Sequence, residues 1–155
     1  MELNDILSER SVVVFTEPMT KDTLLRRLAD IAAAELDEPG EAIYEALAAR
    51  EELGSTGLGN GIAVPHGKYA ALPRVVSVFA RLEHPVDFDA VDDQPVDLVV
   101  MLLAPLGSGA DHLKALARVA RLLRTEDMVA KLRNTSDPAE LHAILTGPEA
   151  ASRAA

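Results

Sequence analysis

The fold of this chain is decided by the segment Val96–Ala104, which reads VDLVVMLLA and ends at Pro105. Asp97 is the only charged residue in it. A short, almost continuous apolar run bounded by a turn residue is typical of a strand at the centre of a sheet, with both faces covered by other elements. The segment therefore predicts a buried central strand, and the rest of the sequence must supply the layers that cover it.

The elements predicted on either side of this strand alternate between short β-branched runs and amphipathic helices. Helical spacing of apolar residues predicts helices over residues 21–36, 41–53 and 111–124, and Pro138 and Gly147 mark the two ends of a last helix. β-branched runs predict strands over residues 12–16, 62–64 and 75–82, and the glycine-rich stretch 54–61 is expected to form a loop. Strands between amphipathic helices predict an α/β sandwich.

Composition excludes several classes of function. The 155 residues contain 25 acids and 15 bases, which give a formal net charge of -10, and such a chain would be repelled by a nucleic acid backbone. There are no cysteines, so disulfides and thiol chemistry are excluded. No apolar run is long enough to cross a bilayer or act as a signal peptide. We therefore expect one cytoplasmic domain that neither binds nucleic acid nor inserts into a membrane.

His66 is the first candidate for chemistry. Pro65 before it has a fixed φ, and Gly67 after it leaves space around the ring, so the imidazole is expected to be presented to a partner. A neutral imidazole nitrogen is a competent nucleophile towards phosphoryl groups near neutral pH and needs neither a metal nor a separate base. Taken alone, Pro-His-Gly also fits a plain turn with a surface histidine.

Two further residues suit the binding of a phosphoryl group. His112 lies near the predicted start of a helix, where the helix dipole favours an anion and a neutral imidazole can donate a hydrogen bond. Arg50 offers a planar guanidinium, the geometry that matches phosphate oxygens. The alternatives are a solvated histidine in the first turn of a helix and a surface arginine paired with a neighbouring glutamate.

The glycine-rich stretch is the third candidate. Its backbone N–H groups, near Ser55, Thr56, Gly57 and Asn60, could surround phosphate oxygens, although the glycines match no nucleotide-binding fingerprint. The alternative is a flexible loop.

The remaining histidines and a loose group of acids receive no role. His84 and His142 fit structural or solvated positions. The acids of residues 87–93 lack the spacing of a calcium-binding loop and fit a solvated segment. No metal and no cofactor are predicted.

Two sequence blocks carry a resemblance to a known family. The stretch Arg50–Lys68, REELGSTGLGNGIAVPHGK, resembles the active-site signature of the fructose/mannitol-type enzyme IIA of the phosphotransferase system, above all its nitrogen-regulatory branch. The pattern asks for an acid, here Glu51, then Leu-Gly at positions 58–59 and Ile-Ala-Val-Pro-His-Gly at positions 62–67. A second block, Phe88–Leu98, resembles the segment that leads into the family's central strand.

This resemblance implies a mixed β-sheet flanked by helices on both faces, in an enzyme IIA domain over residues 1–147. Beyond the helix end at Gly147, the sequence itself predicts a disordered tail over 148–155. It implies phosphorylation of His66 by an HPr-like phosphohistidine protein, with His112 and Arg50 in supporting roles. The favoured hypothesis is a nitrogen-type regulator whose phosphorylation state selects protein targets such as a transporter or a sensor kinase. The alternative is a sugar-specific IIA component that passes phosphate to a separate IIB domain.

Overall fold

The computed structural model describes residues 2–155 and contains one mixed six-stranded sheet with helices on both faces. This architecture confirms the predicted fold class. The strands are β1 (Val12–Phe15), β2 (Gly57–Gly59), β3 (Ile62–Ala63), β4 (His66–Lys68), β5 (Val76–Val86) and β6 (Val96–Ala104). The helices are α1 (Leu3–Ile6), α2 (Lys21–Leu36), α3 (Gly40–Glu52), α4 (Ala110–Leu122), α5 (Glu126–Arg133), α6 (Pro138–Thr146) and α7 (Pro148–Ala154), with a short 3-10 helix at Glu9–Ser11.

Strand β6 lies inside the sheet, as its apolar sequence predicts. The strand order is β1-β5-β6-β3-β2, and β4 pairs with β6 beyond the end of β3. β5 is antiparallel to β6, whereas β3 and β4 are both parallel to it, so the sheet is mixed. Every residue of β6 except Asp97 is buried. This strand therefore fixes the positions of its neighbours on both sides.

The core is divided by the sheet into two layers. Successive side chains of a strand point to opposite faces, and in β6 Leu98, Val100 and Leu102 belong to one apolar cluster, while Val99, Met101 and Leu103 belong to the other. The first cluster contains the buried faces of α1 and α4–α7. The second contains those of α2 and α3. Both faces of the central strand are therefore covered by helices.

The Pro-His-Gly segment begins in the short gap between β3 and β4. β3 pairs Ala63 with Val99, and β4 resumes with His66 paired to Leu102 on the same strand. Pro65 stands in the gap, where it has no N–H to donate, and its carbonyl accepts a hydrogen bond from the Leu102 amide at 2.9 Å. The chain therefore keeps its parallel register with β6 on both sides of Pro65.

The structure differs from the sequence-based expectation in several segments. Residues 148–155 were expected to be a disordered tail, but Pro148–Ala154 forms helix α7. The sequence predicted no element at α1, β4 or α5, and β2 lies inside the expected loop. α7 is held because Ala150 and Ala154 are small enough to be buried against the core, and the Arg121 guanidinium donates to the Ala154 carbonyl at 3.1 Å.

No helix in residues 2–155 is both long and apolar enough to span a bilayer.

Candidate functional site

His66 is the first residue of β4 and is half-buried. Its Nδ1 lies 2.9 Å from the carbonyl oxygen of Val64. A carbonyl oxygen can only accept a hydrogen bond, so Nδ1 carries the proton in this contact and Nε2 of the neutral ring keeps its lone pair. The local backbone thus selects the tautomer in which Nε2 can act as a nucleophile.

Gly67 has a different role from the one expected. The sequence suggests that this glycine leaves space around the histidine ring, but a Cβ at Gly67 would lie 3.3 Å from the carbonyl oxygen of Ala46 in α3. That distance is tighter than ordinary packing, so a side chain at Gly67 would push β4 and α3 apart by a few tenths of an ångström. The absence of a side chain positions the strand that carries His66.

His112 lies close to His66 although the two are far apart in the sequence. It is in the first turn of α4, is 7% exposed, and its ring centroid lies 5.6 Å from that of His66, with the planes inclined by 48°. Among residues 2–155, its buried Nδ1 has no hydrogen-bond partner. Burial, and then the neighbouring His66 and Lys68, lower the pKa of His112 below its ordinary value. The ring is therefore neutral at physiological pH and carries one N–H.

Arg50 lies in the last turn of α3, beside the same site. Its Nη1 donates to the Gly54 carbonyl at 2.8 Å, which directs the side chain over the turn that follows the helix. Arg50 and His66 both line a cavity of about 240 Å³, whose other walls include Leu58, Leu116 and Ala120. A guanidinium has five N–H groups, so donors remain on Arg50 after this bond. The structure therefore brings an arginine and the nucleophile candidate to one small cavity.

The glycine-rich stretch is a tightly hydrogen-bonded turn. The Ser55 hydroxyl donates to the Phe88 carbonyl at 2.7 Å and accepts from the Gly57 amide at 3.1 Å. The amide and the hydroxyl of Thr56 both donate to the Glu51 carboxylate. A Cβ at Gly57 would lie only 2.8 Å from that of Ala90, so glycine is required there for packing. Ser55 and Thr56 line the cavity, but these donors are already occupied within the protein.

Asn60 is separated from the other candidates. It occupies the turn between β2 and β3 with a φ of 58°, and Gly61 after it has a φ of 80°. Two successive residues at positive φ are typical of the tight Asn-Gly turn of a hairpin. The Asn60 amide donates to Asp92 at 2.9 Å, and its carbonyl accepts from the Arg133 guanidinium. Asn60 therefore shapes the hairpin and does not line the cavity that holds His66.

Sequence reasoning missed the contribution of two residues next to the site, Lys21 and Glu51. The Glu51 side chain is 6% exposed and pairs with Lys21 Nζ at 2.9 Å. The signature pattern in the sequence includes Glu51 as its acidic residue but does not indicate what the carboxylate does. Nothing in the sequence relates it to Lys21, since that residue is in a different helix. Among residues 2–155, no group of three or more His, Cys, Asp or Glu side chains is arranged to hold a metal ion.

The family model for the phosphoenolpyruvate-dependent sugar phosphotransferase system, EIIA 2, matches residues 5–147. The chain belongs to this EIIA 2 family. The resemblance seen in the sequence is therefore confirmed. Members of the EIIA 2 family carry phosphate on a histidine, and phosphotransferase-system IIA proteins exchange it with HPr-like donors and IIB acceptors.

Individual relatives indicate the branch of the EIIA 2 family. The chain is 44% identical over 150 residues to a nitrogen regulatory protein of Bradyrhizobium diazoefficiens, covering 97% of this chain and 98% of that protein. It is 40% identical over 117 residues to a fructose-specific EIIA component of Haloferax volcanii, covering 74% and 75% respectively. The crystal structure of nitrogen regulatory protein IIA-Ntr from Neisseria meningitidis superimposes with a TM-score of 0.86 at 34% identity, covering 93% of this chain and 99% of that one. Over nearly its whole length, this EIIA 2 protein is similar to nitrogen regulatory proteins.

Proposed function

We propose that Nε2 of His66 accepts the phosphoryl group from the phosphohistidine of an HPr-like donor protein. The observation that carries this proposal is the hydrogen bond from His66 Nδ1 to the Val64 carbonyl, at 2.9 Å, because it leaves the Nε2 lone pair available. In the transfer, that lone pair forms the new N–P bond as the donor's N–P bond breaks. The electron pair of the broken bond returns to the donor imidazole. No metal or cofactor enters this step.

His112 and Arg50 would stabilise the transferring group. In phosphoryl transfer through a loose transition state, negative charge spreads over three equatorial oxygens, so catalysis depends on positioning and on donors that are already in place. The neutral His112 ring, 5.6 Å from His66 between centroids, can offer one N–H. The Arg50 guanidinium on the cavity wall can offer charged donors.

The proposal gives the loop residues a structural role. The hydroxyls of Ser55 and Thr56 and the amide of Gly57 already donate to other groups of the protein, and Asn60 does not line the cavity. A bound phosphoryl group would have to break these bonds to use the same donors. We therefore assign phosphate contacts to His112 and Arg50 alone.

Exposed leucines around the site suit the docking of a protein donor. Leu58 on the cavity wall is 54% exposed, Leu106 is 60% exposed in the turn after β6, and Leu113 next to His112 is 67% exposed. Large exposed apolar side chains close to a reactive group are typical of a contact surface for a protein. An HPr-like donor that covers these leucines would bring its phosphohistidine to His66.

The same surface would serve the regulatory role. A phosphoryl group adds up to about two negative charges, which is enough to change the affinity of a partner that contacts the surrounding leucines. We propose that the targets are proteins such as a transporter or a sensor kinase, which bind one phosphorylation state better than the other. The match to a nitrogen regulatory protein over nearly the whole chain supports this choice.

The second candidate function is sugar-specific transfer to a separate IIB domain. The match to a fructose-specific EIIA component supports it, although this match covers a smaller share of the chain. The two functions differ in the fate of the phosphate. A regulator retains it or returns it to the donor, whereas a sugar-specific component loses it quickly to IIB and then to a sugar.

The test is transfer of label from phosphoenolpyruvate through enzyme I and an HPr-like carrier to this protein. Wild type and His84→Ala, an exposed histidine away from the cavity, should both acquire label that is labile in acid and stable in alkali. His66→Ala should acquire none. Label on His66→Ala at the wild-type rate would overturn the assignment of the nucleophile. Addition of a fructose-type IIB and sugar then separates the two functions, because rapid loss of label to sugar would exclude a purely regulatory role.

A further inference from the structure

Glu51 is a buried carboxylate whose two oxygens are both fully engaged. Oε2 accepts from the Thr56 amide at 3.2 Å and pairs with Lys21 Nζ at 2.9 Å, while Oε1 accepts from the Thr56 hydroxyl. The Glu51 side chain is 6% exposed. Burial of a carboxylate is unfavourable unless it is paired and hydrogen-bonded, and Lys21 and Thr56 supply these partners. The end of α3 is thereby fixed to the turn that follows it.

Lys21, at the start of α2, also restrains the turn that follows α3. Besides its ion pair with Glu51, its Nζ donates to the Phe88 carbonyl at 3.2 Å and lies 4.4 Å from the centre of the Phe88 ring. The Phe88 carbonyl also accepts from the Ser55 hydroxyl at 2.7 Å. Helix α2 and the segment before β6 therefore restrain the turn together.

A continuous series of hydrogen bonds leads from this turn to His66. The Thr56 carbonyl accepts from the Val64 amide at 3.1 Å. The carbonyl of the same Val64 accepts from His66 Nδ1 at 2.9 Å. Thr56 and Val64 are both buried, so the hydrogen bond between them is shielded from water. The position of the Val64 peptide, and through it the orientation of the imidazole, depends on where Thr56 is held.

We infer that Lys21, Glu51 and Thr56 are positioning residues that hold the Val64 carbonyl where it keeps His66 in the Nδ1–H tautomer. This inference rests on the proposed function of His66. If Thr56 is released, the Val64 carbonyl moves relative to the ring and the preference for a proton on Nδ1 weakens. A ring protonated at Nε2 has no lone pair there and cannot accept a phosphoryl group at that atom.

The test combines phosphotransfer kinetics with nitrogen-15 NMR of the His66 ring, which distinguishes the two tautomers. Thr56→Val removes the hydroxyl at nearly constant volume, and Glu51→Gln removes the charge. We expect each to lower kcat by about ten- to a hundredfold, the range that a small displacement of reacting groups can cause, while KM for the donor is unchanged. The NMR spectra of both variants should show a larger Nε2–H fraction than wild type.

Two further variants complete the experiment. Thr56→Ser keeps the hydroxyl and should restore both kcat and the tautomer of wild type. Lys131→Met, which breaks an exposed ion pair with Glu149, is the control and should change neither. An unchanged His66 tautomer in folded Thr56→Val and Glu51→Gln would overturn the inference. If Thr56→Val does not fold, Glu51→Gln alone decides the question.

The NMR measurement needs no donor protein, so the two proposals fail separately. Wild-type protein that takes no phosphate from active donors would overturn the proposed function, and the tautomer spectra would still test the link from Glu51 to His66. If wild type is labelled but the tautomer of His66 is unchanged in the variants, the proposed function stands and the positioning role is contradicted.

Discussion

The rings of His66 and His112 lie with their centroids 5.6 Å apart, although one residue begins strand β4 and the other lies in the first turn of helix α4. The contact exists because both elements lie at the carboxyl end of β6. β4 pairs with the last residues of that strand, and α4 is the next element along the chain. Each ring is therefore part of the electrostatic environment of the other.

Replacement of His112 by alanine should slow phosphotransfer strongly without preventing folding. Removal of one preorganised donor to a developing charge typically costs about 2.7–4 kcal/mol in the barrier, or roughly a hundred- to a thousandfold in rate. The rate is measured at saturating donor, with His84→Ala as the control. His112→Ala that transfers within threefold of wild type would show that this ring does not stabilise the transition state.

The stability of the protein should fall as the pH is lowered from about 6.5, the ordinary value for histidine, because of His112. Its pKa is lowered in the folded state by burial and by His66 and Lys68. Between the ordinary pKa of histidine and the lower pKa of folded His112, the unfolded chain binds a proton that the folded protein does not. The free energy of unfolding therefore decreases as the pH falls through this range, and the decrease ends below the folded pKa. Urea unfolding of wild type and His112→Gln at pH 7.5 and 5.5 measures this. An equal loss in both proteins would contradict the prediction.

Arg50→Lys should impair transfer even though it preserves the charge. Lysine lacks the planar fork that binds two phosphate oxygens, and a hydrogen bond to a charged group contributes about 1.5–3 kcal/mol. We expect kcat to fall by roughly ten- to a hundredfold on this basis. Arg10→Lys, on an exposed position far along the chain, is the matched control. Equal rates for the two variants would exclude a specific phosphate contact by Arg50.

Gly61→Ala should destabilise the fold by about 1–3 kcal/mol, the usual cost of a residue held in a strained backbone region. Gly61 has a φ of 80°, and a Cβ there would lie 2.5 Å from Arg133 Nη2 and 2.9 Å from Asp97 Oδ1. Arg133 would have to leave its bidentate contact with Asp97. Gly107→Ala is the control, because its Cβ would meet nothing within 4 Å. The free energies of unfolding in urea should differ between the two variants.

Local patterns in the sequence predicted the central strand and the longer amphipathic helices. The apolar run of β6 and the helical spacing of apolar residues in α2 and α4 indicate directly which side chains are buried. The structure contains all three elements near the predicted positions. His66 stood out because proline and glycine flank it. The prediction of a tail beyond Pro148 was wrong because the burial of Ala150 and Ala154 depends on α4, which a local pattern does not reveal.

The arrangement around His66 could be predicted only in part. The Asn60–Gly61 pair is a hairpin signal in the sequence, and it explains β2 and β3 once the turn is recognised. The link from Lys21 to Glu51 had no such signal, since it joins two helices through side chains whose spacing is set by tertiary packing. Residue types indicated the chemistry, whereas the contacts that orient it came from the three-dimensional structure.

The attachment of β4 to β6 has a consequence for signalling. His66 is paired with Leu102, in the buried central strand β6, and its ring is hydrogen-bonded to the Val64 carbonyl. A backbone held in this way has little freedom to rearrange when a phosphoryl group arrives. A target that distinguishes the two states must then recognise the added charge itself, not a new shape. Its preference should weaken with ionic strength, as the interaction of exposed charges does.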